Sequence, residues 1–283
     1  MTASNPSRDE AHLDSTAQHL MSAISTELTG RLRLVRPDGR RRPAAPALVL
    51  VAHGSRDPRA LSTVRTLLER VRELRPALPV HLGHIELNAP LLSDTLTALG
   101  DTEAVLVPLL LSRGYHVKRD IPDLVAASRV RARVAAPLGP HPLLVETLYA
   151  RLTEAGWPVR MTDSERRASA VVLAAAGSRD PDSAADTRRT AHLLADRLGV
   201  PVVPAYASAA TPTVETAIRA LTARGRHRIA VASCFTAPGR FATQCAKATP
   251  WMATKPLGAH PAMARLILSR YDQALATRVS TAA

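Results

Sequence analysis

Residues 52–58 read AHGSRDP and residues 175–181 read AAGSRDP, one turn written twice at an offset of 123. The first is preceded by LVLVA at 48–52, an apolar run of the kind that makes a strand buried on both faces of a parallel sheet. Further matches follow in the same order. Residues 80–99 correspond to 202–221, with Pro90 falling on Pro212, and PLGPHP at 137–142 returns as PLGAHP at 256–261. Collinear matches at offsets of 119–125 mark an internal duplication.

Within the first copy, short apolar runs alternate with helical stretches. Strands are expected over 48–52, 80–85, 104–111 and 130–135. The first helix should carry Leu61, Val64, Leu67, Leu68, Val71 and Leu74 on one face and stop before Pro76. Helices over 90–99, 120–128 and 141–154 complete a βαβαβαβα unit, the pattern of a parallel sheet covered by helices. The fold class is therefore α/β, with two tandem flavodoxin-like lobes, each a four-stranded parallel sheet with helices on both faces. The boundaries are a flexible extension over 1–46, a first lobe over 47–155, a linker over 156–169 and a degenerate second lobe over 170–278. A short amphipathic helix around Leu20, Ile24 and Leu28 is the one element expected in the extension.

Composition narrows the function. With 46% hydrophobic and 22% charged residues, the 283-residue chain can bury a sizeable core, which excludes a disordered protein, a collagen and a coiled coil. Two cysteines, Cys234 and Cys245, make neither a disulfide framework nor a zinc motif, and a reducing cytoplasm is expected. Neither a signal peptide nor a membrane span is expected: the first 46 residues lack the apolar stretch, and the longest apolar runs are far too short. The net charge is +13, and all but Lys118, Lys247 and Lys255 of the 37 basic residues are arginine. Arginine forks suit carboxylates and phosphates. The spread of these charges and the 3% aromatic content argue against nucleic acid as the partner.

The duplication is most informative where it fails. His53 becomes Ala176, Glu86 becomes Ser208 and His116 becomes Phe241, whereas the flanking glycines and prolines persist. His53 follows the first strand, Glu86 the second and His116 the third. With a strand order of 2-1-3-4, all three gather over the carboxyl edge of one sheet, where open α/β sheets bind ligands. Two imidazoles and a carboxylate suit Fe²⁺, Co²⁺, Ni²⁺ or Zn²⁺. One working site and one relict site are expected. His141 and His260 persist in both copies, each before a proline, and read as helix-start residues. His84 is a secondary candidate for the cleft.

The motifs LVLVAHGSRDP (48–58) and VPLLLSRGYHVKRDIP (107–122) resemble the class II chelatases of the sirohydrochlorin chelatase family, in the long form with two fused halves. The resemblance implies insertion of a divalent metal into sirohydrochlorin, for sirohaem or cobalamin, with Fe²⁺ favoured over Co²⁺. It implies His53, Glu86 and His116 as both metal ligands and catalytic residues. The metal is substrate, no cofactor is permanently bound, and the absence of a Cys-x-x-Cys motif implies no iron–sulfur cluster. The tetrapyrrole is the expected partner, with no nucleic acid and no membrane, and a monomer is expected. Its rim carboxylates should meet Arg56, Arg113, Lys118, Arg179 and Arg240. The alternative is a metal or tetrapyrrole carrier of the same fold without turnover.

Overall fold

The computed structural model describes residues 45–249 and 251–277; the expected N-terminal helix lies outside the described residues. In the first lobe, β1 (Ala47–Ala52), β2 (Val80–His84), β3 (Glu103–Pro108) and β4 (Arg131–Val134) pair in parallel in the order β2-β1-β3-β4. Leu48 faces Val80 on one side of β1 and Val105 on the other. All six residues of β1 are buried, as a central strand covered on both faces demands. The second lobe repeats the order as β6-β5-β7-β8, with β5 (Ser169–Ala175), β6 (Val202–Tyr206), β7 (Arg228–Ser233) and β8 (Met252–Ala253). The expected third strand stops three residues early, at Pro108, which lacks the N–H needed to donate to the ladder.

Helix α1 (Pro58–Leu74) starts at Asp57, whose carboxylate accepts from Arg59 N, and buries Ala60, Val64, Leu67, Leu68 and Val71. Leu74, expected on that face, is exposed. Helix α2 (Leu92–Leu99) begins two residues later than the proline-led expectation. A π-helical turn (His116–Asp120) then runs into α3 (Ile121–Ala126). Together α2 and α3 cover one face of the sheet through Leu92, Leu96 and Ile121. The second lobe has α6 (Pro181–Leu198), α7 (Val214–Thr222) and α8 (Arg240–Lys247) in the corresponding places.

The closing helices pack across the two repeats. Helix α4 (Pro142–Glu154), which ends the first repeat, packs on α6 and β7 of the second. Helix α9 (Pro261–Ala276), which ends the second repeat, packs on α1 and β3 of the first. Each lobe thus completes the other, and the inner faces of both sheets share one core that includes Leu48, Leu50, Val171 and Leu173. Reciprocal arginines pin the exchange. Arg151 of α4 donates to Leu257 O (2.8 and 3.1 Å), and Arg270 of α9 donates to Leu138 O (3.3 Å) and Pro140 O (3.0 Å). Hydrophobic periodicity specifies that a face is apolar, not which lobe covers it, so the sequence pattern was silent here.

The expected linker is likewise ordered. Trp157 is buried in the shared core, and α5 (Asp163–Ala168) opens with a capping box between Thr162 and Glu165. His141 and His260 are helix caps as expected, each accepting a backbone N–H through Nδ1, from Leu143 and Ala262. No helix among the described residues is long and apolar enough to cross a membrane.

Candidate metal centre

Two loops meet at the carboxyl edge of the first sheet because the parallel ladder continues beyond its strands. Ile85 N donates to Ala52 O (2.9 Å) and Glu86 N to His53 O (3.1 Å). Gly54 makes this approach possible. Its φ is +105°, and a Cβ there would lie 1.9 Å from Glu86 O. Asn88 adds a clamp: its side-chain oxygen accepts from Ser55 N at 2.7 Å. The result sets His53 Nδ1 3.4 Å from Glu86 Oε1, with both side chains about half exposed (43% and 50%).

His116 arrives from the π-helical turn after β3. Its ring stands edge-on to that of His53, with centroids 4.6 Å apart. Its Nδ1 lies 2.5 Å from Asp120 Oδ2, four residues along the same turn. In the Nδ1–H tautomer the ring donates to the accepting carboxylate and keeps the Nε2 lone pair for a ligand, the arrangement of carboxylate-oriented metal-binding histidines. His53, Glu86 and His116 are therefore neighbours, as the strand order predicts. Their donor atoms are not converged: among the described residues, no three His, Cys, Asp or Glu side chains already enclose a cation position.

The second lobe keeps the backbone of this site and loses its chemistry. Ser208 N donates to Ala176 O (3.0 Å), and a Cβ on Gly177 (φ +90°) would lie 1.9 Å from Ser208 O. These contacts confirm that Ala176 and Ser208 stand where His53 and Glu86 do. By the same correspondence Asp120 falls on Cys245, which is buried in the core, and Asn88 on Ala210. Asp120 and Asn88 hold the candidate site together and were not among the residues assigned to it from sequence. The loss of Asp120 together with its histidine was the available signal.

The cations divide. Arg56, Arg179 and Arg240 are exposed, and Arg240 lies over the Phe241 ring at 4.9 Å. Arg113 and Lys118, by contrast, are paired with carboxylates of the second repeat. The Arg113 guanidinium forks onto Asp186 (2.7 and 3.0 Å), and Lys118 Nζ bonds Asp180 (2.9 Å) and Asp182 (2.8 Å). These bonds raise the pKa of both cations, chiefly through Asp186 for Arg113 and Asp180 for Lys118. Burial pushes the Asp186 carboxyl up, but the hydrogen bonds from Arg113 outweigh it and hold the group below its ordinary value. His84, the secondary candidate, is 2% exposed with Nδ1 against Pro90 O (3.1 Å), and its Nε2 has no hydrogen-bond partner. It belongs to the sheet edge, not to the cleft.

The CbiX family model matches the chain twice, over residues 47–155 and 170–274. The chain belongs to the CbiX family. A curated relative, sirohydrochlorin ferrochelatase of Bacillus subtilis (strain 168), is 32% identical over 176 residues, covering 59% of this chain and 64% of its own length. Sirohydrochlorin cobaltochelatase of Methanococcus aeolicus is 37% identical over 82 residues, covering 28% of this chain and 57% of its own length. That of Priestia megaterium is 23% identical over 203 residues, covering 67% of this chain and 63% of its own. The chain thus spans 57–64% of the length of these relatives. Among solved structures, SirB from Bacillus subtilis with Fe³⁺ superimposes with a TM-score of 0.69 at 24% identity, covering 83% of this chain and 97% of that one. A cobalt complex of SirB from subspecies spizizenii gives 0.62 at 23% identity, covering 79% of this chain and 92% of that one. At these identities the likeness supports the fold, and both repeats take part in it.

Proposed function

We propose that this chain inserts a divalent metal, Fe²⁺ in preference to Co²⁺, into sirohydrochlorin. The observation that carries the reading is the cluster of His53, His116 and Glu86 at one sheet edge, absent from an otherwise matching backbone in the second lobe. Metallation exchanges two pyrrole N–H protons for one dication, so the site must hold the ion, release it and take up protons. The Nε2 of His116 and the His53 ring supply neutral donors that bind a borderline dication without trapping it. Glu86 adds one negative charge against the dication. Once the metal moves into the macrocycle, the freed imidazoles are bases suited to accept pyrrole protons near neutral pH. Arg56, Arg179 and Arg240 are the unpaired cations placed to meet the carboxylates of the macrocycle.

Fe²⁺ is preferred because identity to the ferrochelatase, 32% over 176 residues, exceeds that to a cobaltochelatase matched over a comparable span, 23% over 203. The donor set itself accepts both ions. A monomer is proposed to suffice, because the fused second lobe supplies the other wall. The cytoplasm is proposed as its place, since ferrous iron and the free thiols of Cys234 and Cys245 both need a reducing compartment. The test is metallation of sirohydrochlorin by catalytic amounts of protein. Turnover well beyond one equivalent, lost in His53→Ala and His116→Ala, supports the enzyme. A reaction that stops at one equivalent identifies a carrier.

A further inference from the structure

The second lobe has lost its ligands and kept its fold, and a cluster of its carboxylates holds one loop of the first lobe. Arg113 sits three residues before His116, and Lys118 two residues after it inside the same π-helical turn. Arg113 offers Asp186 its backbone N–H (2.9 Å) as well as its guanidinium, and Ser112 Oγ lies 2.9 Å from Ser183 Oγ. Lys118 is held by Asp180, the N-cap of α6, and by Asp182 in its first turn. His116 is therefore bracketed on both sides by anchors on the first two turns of a helix from the other repeat. Asp186 is 4% exposed, so the carboxylate end of this bridge is held in place by its surroundings, while the Arg113 side chain is half exposed.

The duplication shows that this clasp is one-sided. Where the second lobe has Asp182, Ser183 and Asp186, the first has Arg59, Ala60 and Thr63. Where the first lobe has Arg113 and Lys118, the second has Pro238 and Thr243. The pseudo-symmetric partner contact consequently has none of these ion pairs. Of these two pseudo-equivalent junctions, the one whose loop carries a histidine has the complementary charges. We propose that Asp186, with Asp180 and Asp182, positions His116 for metal binding, and that holding this turn is a function of the degenerate lobe. These acids touch no metal and no substrate; they act through the loop, and the inference rests on His116 being a metal ligand.

Co²⁺ titration of the full chain, followed by its visible ligand-field bands, tests this. Asp186→Ala and Lys118→Met should weaken Co²⁺ binding by about tenfold and alter the bands, since partners that orient a ligand cost about 10–100-fold when removed. They should also lower kcat while KM for sirohydrochlorin stays near the parent value. Asp272→Ala is the control. It breaks another bidentate bridge between the repeats, Arg75–Asp272 (2.7 and 2.8 Å), remote from the turn. Its Co²⁺ affinity and bands should match the parent's. His116→Ala separates the two readings: undiminished binding there overturns the ligand assignment itself. If His116→Ala loses Co²⁺ while folded Asp186→Ala and Lys118→Met bind like the parent, the clasp has no positioning role. Should Asp186→Ala fail to fold, the exposed Lys118→Met variant decides alone. A loss of equal size in Asp272→Ala also refutes the proposal, because any bridge between the repeats would then serve.

Discussion

Gly54→Ala and Gly177→Ala form a matched pair of perturbations, because the duplication placed the same backbone knot in both lobes. In each, the new Cβ would start 1.9 Å from a carbonyl oxygen, where real contacts stay beyond 3.0 Å, and the φ of +105° or +90° disfavours any side chain. The loops must separate by roughly an ångström. Backbone held in such a region costs about 1–3 kcal/mol. The spreading also removes a hydrogen bond, Glu86 N to His53 O or Ser208 N to Ala176 O, worth about 0.5–1.5 kcal/mol. Each variant should therefore lose about 2–4 kcal/mol, a fall in Tm of about 4–16 °C for a body of this size. The functional outcomes should diverge. Moving His53 away from Glu86 by about 1 Å should cost about a hundredfold in metallation rate. The same movement of Ala176 from Ser208 should leave the rate within about twofold, since neither side chain can bind metal. Calorimetry supplies the Tm, and initial rates are compared well below both melting points. Equal rate losses in the two variants, or parental activity in a destabilised Gly54→Ala, would refute the assignment of the site to the first lobe.

Asp120→Asn should weaken Co²⁺ binding by about 10–100-fold with sirohydrochlorin KM unchanged, and parental affinity would retire Asp120 as the group orienting His116. Arg56→Ala and Arg179→Ala should each raise KM by about tenfold at low salt. The difference should shrink near 1 M salt, where the Debye length is about 3 Å; a salt-independent KM would remove these arginines from substrate recognition. Burial pushes the Cys234 thiol up to about 12 and that of Cys245 to about 11, so iodoacetamide at pH 8 should label neither until denaturant is added. The Thr162 backbone N–H and then the Arg228 guanidinium hold Glu165 down from 4.5 to about 2. Its contribution to stability is complete above the unfolded value near 4.5 and is lost as pH falls toward 2, so Glu165→Gln should flatten the dependence of Tm on pH there.

What could be read from the sequence follows from the range of the signals. Strand order, the site edge and the relict nature of the second copy rest on local runs and on a repeat that supplies its own comparison; His53 set against Ala176 needs no other sequence. The closing helices were not legible, because Leu144, Leu148, Leu266 and Ile267 look alike whichever sheet they cover. The partners of Arg113 and Lys118 were not legible for a related reason. The positions of these two cations beside His116 are local information, whereas the carboxylates that occupy them stand 62–73 residues away in the other repeat. Part of the arginine excess is matched by acids of the chain itself.

That matching bears on why a lobe without ligands persists. Exchange of α4 and α9 means that neither sheet can bury both faces alone, so the second repeat cannot be deleted without exposing Leu48, Leu50, Val105 and their neighbours. Exposing even one such leucine costs about 1.5–3 kcal/mol, and several would exceed the net stability of an ordinary domain. Packing therefore accounts for retention of the fold. It does not account for Asp180, Asp182 and Asp186 opposite Arg113 and Lys118, when the pseudo-equivalent positions carry no such ion pairs. A contact needed only for cohesion has no reason to favour one of two equivalent junctions. The junction that carries the charges is the one whose loop holds His116, so the asymmetry of the interface follows the asymmetry of the chemistry.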